Sequence, residues 1–314
     1  MPTGGGTRPS ADDVPGRPVR GPVVLAVDVG GTKIEAGVVD GSGRILSDAR
    51  VPTPETSDPE EVFDALGSAV VAVRTAHPES PLICGVGCGG PMTLHGETVS
   101  PLNIPAWRHF PLRQRLSDKV GLPVVVDNDA KALALGEGWL GGAQGVTDYL
   151  AMVVSTGIGA GIVLDGHLLE GRTGNAGHIG HVVVVPDGRP CRCGGQGCLE
   201  AEASGLAIEA RTGHPPSEAG EEVRKATGTL VGRAVGSIAN LLDLDLALVA
   251  GSVALGFGEV FFDAAQEEIA RRCGLEFSRS TRIVPAGLGS TGPLIGAAAL
   301  GRRRLEQMEG GATR

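Results

Sequence analysis

The sequence predicts an α/β protein of two related lobes, on three observations. A strand, glycine turn, strand pattern opens the chain at residues 23–40, the same pattern returns at residues 150–169, and helical periodicity fills much of the sequence between and after them. With 314 residues, 41% hydrophobic and 3% aromatic, the chain can bury a large, mainly aliphatic core. Gly occupies 51 positions without a strict period; in so apolar a chain these read as tight turns and close backbone approaches, not as collagen or disorder. A formal charge of −9 argues against a broad footprint for nucleic acid or acidic lipid and favours small-molecule chemistry.

Residues 1–22 lack an apolar core of the kind a secretory signal carries and read as a flexible tail. The longest uncharged stretches, Tyr149 to Leu164 and Leu246 to Gly258, fall short of the ~20 residues that span a bilayer. A soluble cytoplasmic protein without nucleic-acid or membrane partners is the expectation.

Strands are expected at VVLAVDV (Val23 to Val29), IEAGVVD (Ile34 to Asp40) and RILSDARV, joined by a GGTK turn and a Gly-Ser-Gly turn. The glycines join strand to strand, which argues against a dinucleotide-binding or P-loop motif, where a helix follows. Asp58-Pro59-Glu60-Glu61 starts a helix whose apolar face is Val62, Leu66, Ala69, Val70 and Val73, ending at His77-Pro78. Strands follow at LICGVGC and at VVVD, the latter running into a helix. The second copy, LAMVVSTGIGAGIVLDGHLL, repeats the hairpin with its turn at Gly157, as the first has its turn at Gly30. Further helices are expected over Glu200 to Arg211, Glu221 to Asp243, Phe257 to Arg272 and Pro293 to Met308, with Arg302, Arg303 and Arg304 complementing the dipole of the last.

Three constellations carry chemistry. In Asp28-x-Gly30-Gly31-Thr32-Lys33, backbone N–H groups and the Thr32 hydroxyl can approach phosphate oxygens, while Asp28 at the strand end suits a hydrated magnesium ion. The small turn Ser155-Thr156-Gly157-Ile158-Gly159 has the same donor-rich character. In VVVDNDAKALALGEG, Asn128 and Asp129 stand at a strand-to-helix junction, where an Asp serves either as a helix cap or as a base facing a cleft. Cys191, Cys193 and Cys198, spaced C-x-C-x4-C with His181 ten residues upstream, supply a closed Cys3His zinc site; a disulfide between neighbouring thiols is the alternative. Cys84, Cys88 and Cys273 lie in apolar surroundings and read as small buried side chains.

Together, D-x-G-G-T-K, Asn128-Asp129, S-T-G-x-G-x-G, the G-H motif and C-x-C-G-x-x-G-C-x-E resemble the ROK (repressor, open reading frame, kinase) sugar kinases, from about Val23 to Leu300. The resemblance implies a two-lobed, actin-like and ribonuclease-H-like ATPase fold with ATP and a sugar in the interlobe cleft, and a small zinc-binding insertion. It implies residues 23–130 plus a C-terminal helix at 292–308 as one lobe and 131–291 as the other. It makes Asp129 the general base on a sugar 6-hydroxyl, with Gly90, Asn103, Asn128, His181 and Glu200 as sugar contacts. ATP and Mg2+ would meet Asp28, Gly30, Gly31, Thr32, Lys33, Thr156, Gly157 and Gly159, with Gly251 and Ser252 at the adenosine. A homodimer is the family default.

The chain departs from the family at His178, where most members, glucokinases included, carry Glu. The A-G-H-I-G-H version and G-S-V-x-L from Gly251 to Leu255 are similar to the bacterial N-acetylmannosamine kinases, which makes N-acetylmannosamine the first expected substrate and glucose the second. Lys131, where many members have Asn, has no reading from sequence. A sugar-responsive repressor is disfavoured because the segment before the first strand is too short for a helix-turn-helix domain.

Overall fold

A computed structural model of the chain describes residues 19–77 and 79–311, so the expected tail lies outside the described residues as far as 18. The chain divides into two compact units: one reaches Ala132 and resumes at Ser290, and the other is Leu133–Gly289.

In the first unit, β1 (Val24–Val29) and β2 (Lys33–Val39) form the antiparallel hairpin around the Gly30-Gly31 turn, and β3 (Ile45–Pro52) extends it. β4 (Ile83–Cys88) and β5 (Val124–Asn128) add on the other side in parallel, giving the order β3-β2-β1-β4-β5. Asp58 caps α1 (Pro59–Ala76) by accepting the Glu60 N–H at 2.8 Å, and Pro59 occupies the first turn, where a missing N–H costs nothing. All five apolar positions read from its periodicity are buried against the sheet core. α9 (Gly292–Gly311) packs on β1 and β4 so tightly that a Cβ at Gly85 would collide with the Ala297 carbonyl oxygen. Because α9 runs past Met308, Arg302 to Arg304 sit well inside it and not in its last turn, which corrects the dipole expectation.

α2 (Leu112–Val120) carries too little periodicity to be expected: it is a short polar helix that buries only Leu112, Leu116 and Val120 at a spacing of four. α3 (Asp129–Leu140) begins directly after β5.

In the second unit, β6 (Tyr149–Val154), β7 (Ile158–Leu164) and β8 (His167–Leu168) run antiparallel, and β9 (Leu246–Ala250) and β10 (Arg282–Pro285) join β6 in parallel. Read from its other edge, the order β8-β7-β6-β9-β10 repeats the first sheet strand for strand and sense for sense. The duplicated hairpin of the sequence is thus the visible part of a duplicated sheet.

One expected helix is split, and another, expected over Phe257 to Arg272, begins only at Glu259. Residues 200–211 form α4 (Leu199–Ala203) and α5 (Gly205–Thr212), because Ser204 is extended and caps α5 by accepting the Ala207 N–H. Before Arg272, α7 (Ser252–Phe257) and α8 (Glu259–Arg272) are separated by Gly258 at φ +60°. α6 (Glu221–Leu242) ends on Asp243 in the left-handed region. It lies close along α8, since Cβ atoms at Gly228 and Gly232 would collide with the Phe261 and Ala265 carbonyl oxygens. Among the described residues no helix is long and apolar enough to cross a membrane.

Candidate active site and metal centre

In the first unit the predicted residues converge at the carboxyl ends of β1, β4 and β5. Asp28 on β1 faces Gly87 on β4 in register, and Gly87 faces Asp127 on β5. A Cβ at Gly87 would stand 3.3 Å from Asp28 Oδ1 and 3.5 Å from Asp129 Cα, so the glycine keeps the space between the two carboxylate-bearing residues open. Burial, helped by the charges of Asp129 and Glu35 and opposed by Lys33, pushes the Asp28 carboxyl up to about 8. A carboxylate so costly to ionise alone suits a hard divalent cation, and magnesium fits this donor chemistry. Asn128 accepts the Ala130 N–H at 3.0 Å through its side chain, and Asp129 Oδ1 accepts the same N–H at 2.9 Å. The helix-cap reading of Asp129 is therefore shared with Asn128.

The Gly30-Gly31 turn is held from behind. Gly30 donates its own N–H to the Lys33 carbonyl at 3.0 Å, Thr53 donates its hydroxyl to the Gly30 carbonyl at 2.7 Å, and the Thr53 N–H reaches the Thr32 carbonyl at 3.1 Å. These bonds leave the Gly31 and Thr32 amides and the exposed Thr32 side chain to meet an anion. Lys33 Nζ lies 3.1 Å from Glu35, so its charge is already engaged. The loop bearing Asn103 presses on this turn: a Cβ at Gly31 would stand 2.7 Å from the Asn103 Cβ. Gly90 accepts the Leu102 N–H at 3.2 Å.

In the second unit the turn around Gly157 and the segment at Gly251 meet, with Ser155 and Ser252 hydroxyls 2.9 Å apart. Gly251 has φ +102°, and a Cβ there would collide with the Val154 carbonyl oxygen, so only glycine fits. Thr156 and Gly157 stay on the turn, whereas Gly159 is already paired in β7 with Val153 of β6. Gly177 and Gly180 let the A-G-H-I-G-H segment lie against β7, since Cβ atoms there would strike the Ala160 and Ile158 carbonyl oxygens. His178 and His181 stand on that segment with ring centroids 6.0 Å apart, and Glu200 on α4 accepts the Ile158 N–H at 2.9 Å.

His181, Cys191, Cys193 and Cys198 bring one ligand atom each to within 4.8 Å of one another. Zinc bonds of ~2.3 Å to sulfur and ~2.1 Å to nitrogen place tetrahedral ligands ~3.8 Å apart for S···S and ~3.6 Å for S···N. The Cys193–Cys198 sulfurs stand 3.8 Å apart and Cys191 Sγ lies 3.6 Å from His181 Nδ1. The cluster therefore fits a tetrahedral zinc ion, with Nε2 of His181 left on the far side of the ring. All three cysteines are free thiols, which sets aside the disulfide alternative. The Gly195 N–H, 3.4 Å from Cys193 Sγ, holds that thiol below its usual value, while burial pushes Cys198 up to about 12.

Glu202, absent from the sequence reading, braces the zinc loop by accepting the Arg189 N–H at 2.6 Å. Neither it nor Thr53 carries a motif; both act by contacts between distant segments. Glu137, completely buried, likewise accepts N–H groups from Gly142, Gly287 and Leu288 at 2.7, 2.9 and 3.0 Å.

A family model described as ROK family matches residues 24–304. The chain belongs to the ROK family. Among curated ROK relatives, the glucokinase of Streptomyces coelicolor is 44% identical over 186 residues, covering 59% of this chain and 57% of that protein. The N-acetylmannosamine kinase of Shigella flexneri is 36% identical over 251 residues, covering 75% of this chain and 84% of that protein. A solved ROK family glucokinase from Streptomyces griseus in complex with glucose and AMPPNP superposes with a TM-score of 0.79 at 35% identity, covering 90% of this chain and 99% of that one.

Proposed function

We propose that this ROK protein is an ATP-dependent sugar kinase acting on the 6-hydroxyl of a hexose or N-acetylhexosamine, with N-acetylmannosamine as the preferred substrate and glucose as the second. The observation that carries the reading is the meeting of Asp28 and Asp129 across Gly87, with Asp28 on the strand that leads into the Gly30-Gly31 turn. Base, metal-ligating carboxylate and phosphate-facing turn belong together in phosphoryl transfer and in few other reactions.

Asp129 orients the sugar hydroxyl toward the γ-phosphorus of ATP. The new P–O bond forms as the bond to the ADP oxygen breaks, and the hydroxyl proton passes late to the Asp129 carboxylate. Magnesium held by Asp28 would supply charge neutralisation for the phosphates. Gly31, Thr32, Thr156 and Gly157 hold phosphate oxygens, with Gly251 and Ser252 at the adenosine. Asn103, Asn128, Gly90, Glu200 and the Nε2 side of His181 contact the sugar; His181, Cys191, Cys193 and Cys198 would hold a zinc ion that fixes the segment carrying His178 and Glu200.

The choice of sugar rests on His178. A neutral imidazole donates one hydrogen bond and accepts one, whereas a Glu only accepts, so His178 suits the carbonyl of a 2-acetamido group. The relatives named glucokinase are the observation that favours the second reading. The deciding experiment measures ADP release with MgATP against N-acetylmannosamine, glucose, N-acetylglucosamine, mannose and no sugar. Preference for N-acetylmannosamine is expected. Preference for glucose would retain the kinase and reject the His178 argument; no sugar-dependent turnover at all would reject the kinase.

A further inference from the structure

A row of charged positions crosses the first sheet. Arg50, Glu35, Asp28, Gly87 and Asp127 are directly opposed on β3, β2, β1, β4 and β5, and opposed residues share one face. At one end Glu35 is paired with Arg50 and with Lys33. At the other, Asp127 is paired with Lys131, whose Nζ lies 3.2 Å from Oδ1 and 3.4 Å from Oδ2. Asp28, between them, forms no salt bridge among the described residues, and its neighbour in the row is a glycine.

Lys131 occupies a place that stability alone does not favour. Its side chain is 1% exposed, in the first turn of α3, where both desolvation and the positive end of the helix dipole oppose a cation. The neighbouring Ala130, Ala132 and Leu133 are buried apolar residues, the kind of side chain such a position ordinarily takes. Four residues after Asp127, the lysine points back along the helix onto the strand end. Asp127 Oδ1 also accepts the Asn128 N–H at 2.7 Å, so the ion pair is built into the junction that presents Asn128 and Asp129.

We infer that Lys131 is a positioning residue whose ammonium neutralises Asp127, so that Asp28 is the carboxylate of the row left to meet magnesium and the transferred phosphate. The inference rests on the kinase reading above. Without the lysine, the Asp127 carboxylate, one strand beyond Gly87, loses the ammonium paired with it. Magnesium is then bound more tightly and off its productive place, and the added negative charge opposes the incoming phosphates.

The test compares the wild type, Lys131→Met, and Asp127→Asn combined with Lys131→Met. Thermal melts are followed over a magnesium titration without nucleotide, and sugar-dependent ADP release over the same titration. In Lys131→Met the magnesium midpoint of both curves is expected about tenfold lower and kcat about tenfold reduced. The double variant, which removes both charges, is expected to restore wild-type midpoints and kcat. A lysine serving the fold alone would lower the melting temperature and leave the magnesium midpoint where it was; that result, or a double variant that stays shifted, overturns the inference. Should Lys131→Met fail to fold, the double variant decides alone: wild-type midpoints support the inference, while shifted midpoints or failure to fold count against it. Wild-type chain inactive with every sugar refutes the kinase reading instead, and the melts still report on Lys131.

Discussion

At Asp28 the surroundings decide the charge. Folding raises its pKa from 3.8 to about 8, so between those values the folded chain holds a proton that the unfolded chain releases. The stabilising contribution is complete below about 4 and is lost as pH rises through about 8. Asp28→Asn, which never ionises, should therefore raise the melting temperature by a few degrees at pH 8.5 and by much less at pH 5, while removing turnover. Melts of both proteins at the two pH values check this; an equal gain at both would show that burial and the neighbouring acids do not control the group. On the same scale, the proposed function gives His178 the choice of sugar. Exchanging it for Glu substitutes an acceptor for a donor, so His178→Glu should cut the ratio of N-acetylmannosamine to glucose kcat/KM by about tenfold. An unchanged ratio would remove His178 from sugar choice. Of these residues, those in turns and motifs were legible in the sequence because glycine, cysteine and acid spacing is local. Thr53 and Glu202 were not, since each acts on a segment 13 or more positions away and nothing in its own neighbourhood marks it.

Among the elements, a zinc ion held by His181, Cys191, Cys193 and Cys198 would tie together the segment that the proposed function places at the sugar. His181 follows His178 by one 3-10 turn, and Cys198 immediately precedes α4, which carries Glu200. Removal of zinc should release both ends of that segment together. Cys198→Ser, or exhaustive chelation of the wild type, is expected to abolish bound zinc and to raise the sugar KM at least tenfold with a much smaller change in the KM for ATP. Metal analysis with initial-rate kinetics in both substrates gives the answer; zinc loss with an unaltered sugar KM would make the site irrelevant to the sugar. The helices show where sequence periodicity runs out. α1 was legible from cap to terminus because one apolar stripe and one Asp-Pro start define it. The break at Ser204 lies within a continuous helical pattern, and only the extended turn it makes in space separates α4 from α5, whereas Gly258 merely moves the start of α8 by two residues.

For the whole molecule, two sheets of identical strand order and sense explain why the sequence repeats a glycine-turn hairpin. Only the hairpin was readable as a repeat, since β4, β5, β9 and β10 are short apolar runs whose pairing depends on distant chain. The first unit holds Asp28, Asn103, Asn128 and Asp129; the second holds His178, Glu200, the zinc ligands and Ser252. The proposed function stands or falls with Asp129 as the base of the phosphoryl transfer. The direct measurement sets ADP release by wild type and Asp129→Asn beside calorimetric titration of the same proteins with the preferred sugar. A fall of at least ~10²-fold in kcat is expected, with sugar affinity changed only a few fold. Turnover in Asp129→Asn within a few fold of wild type would contradict it.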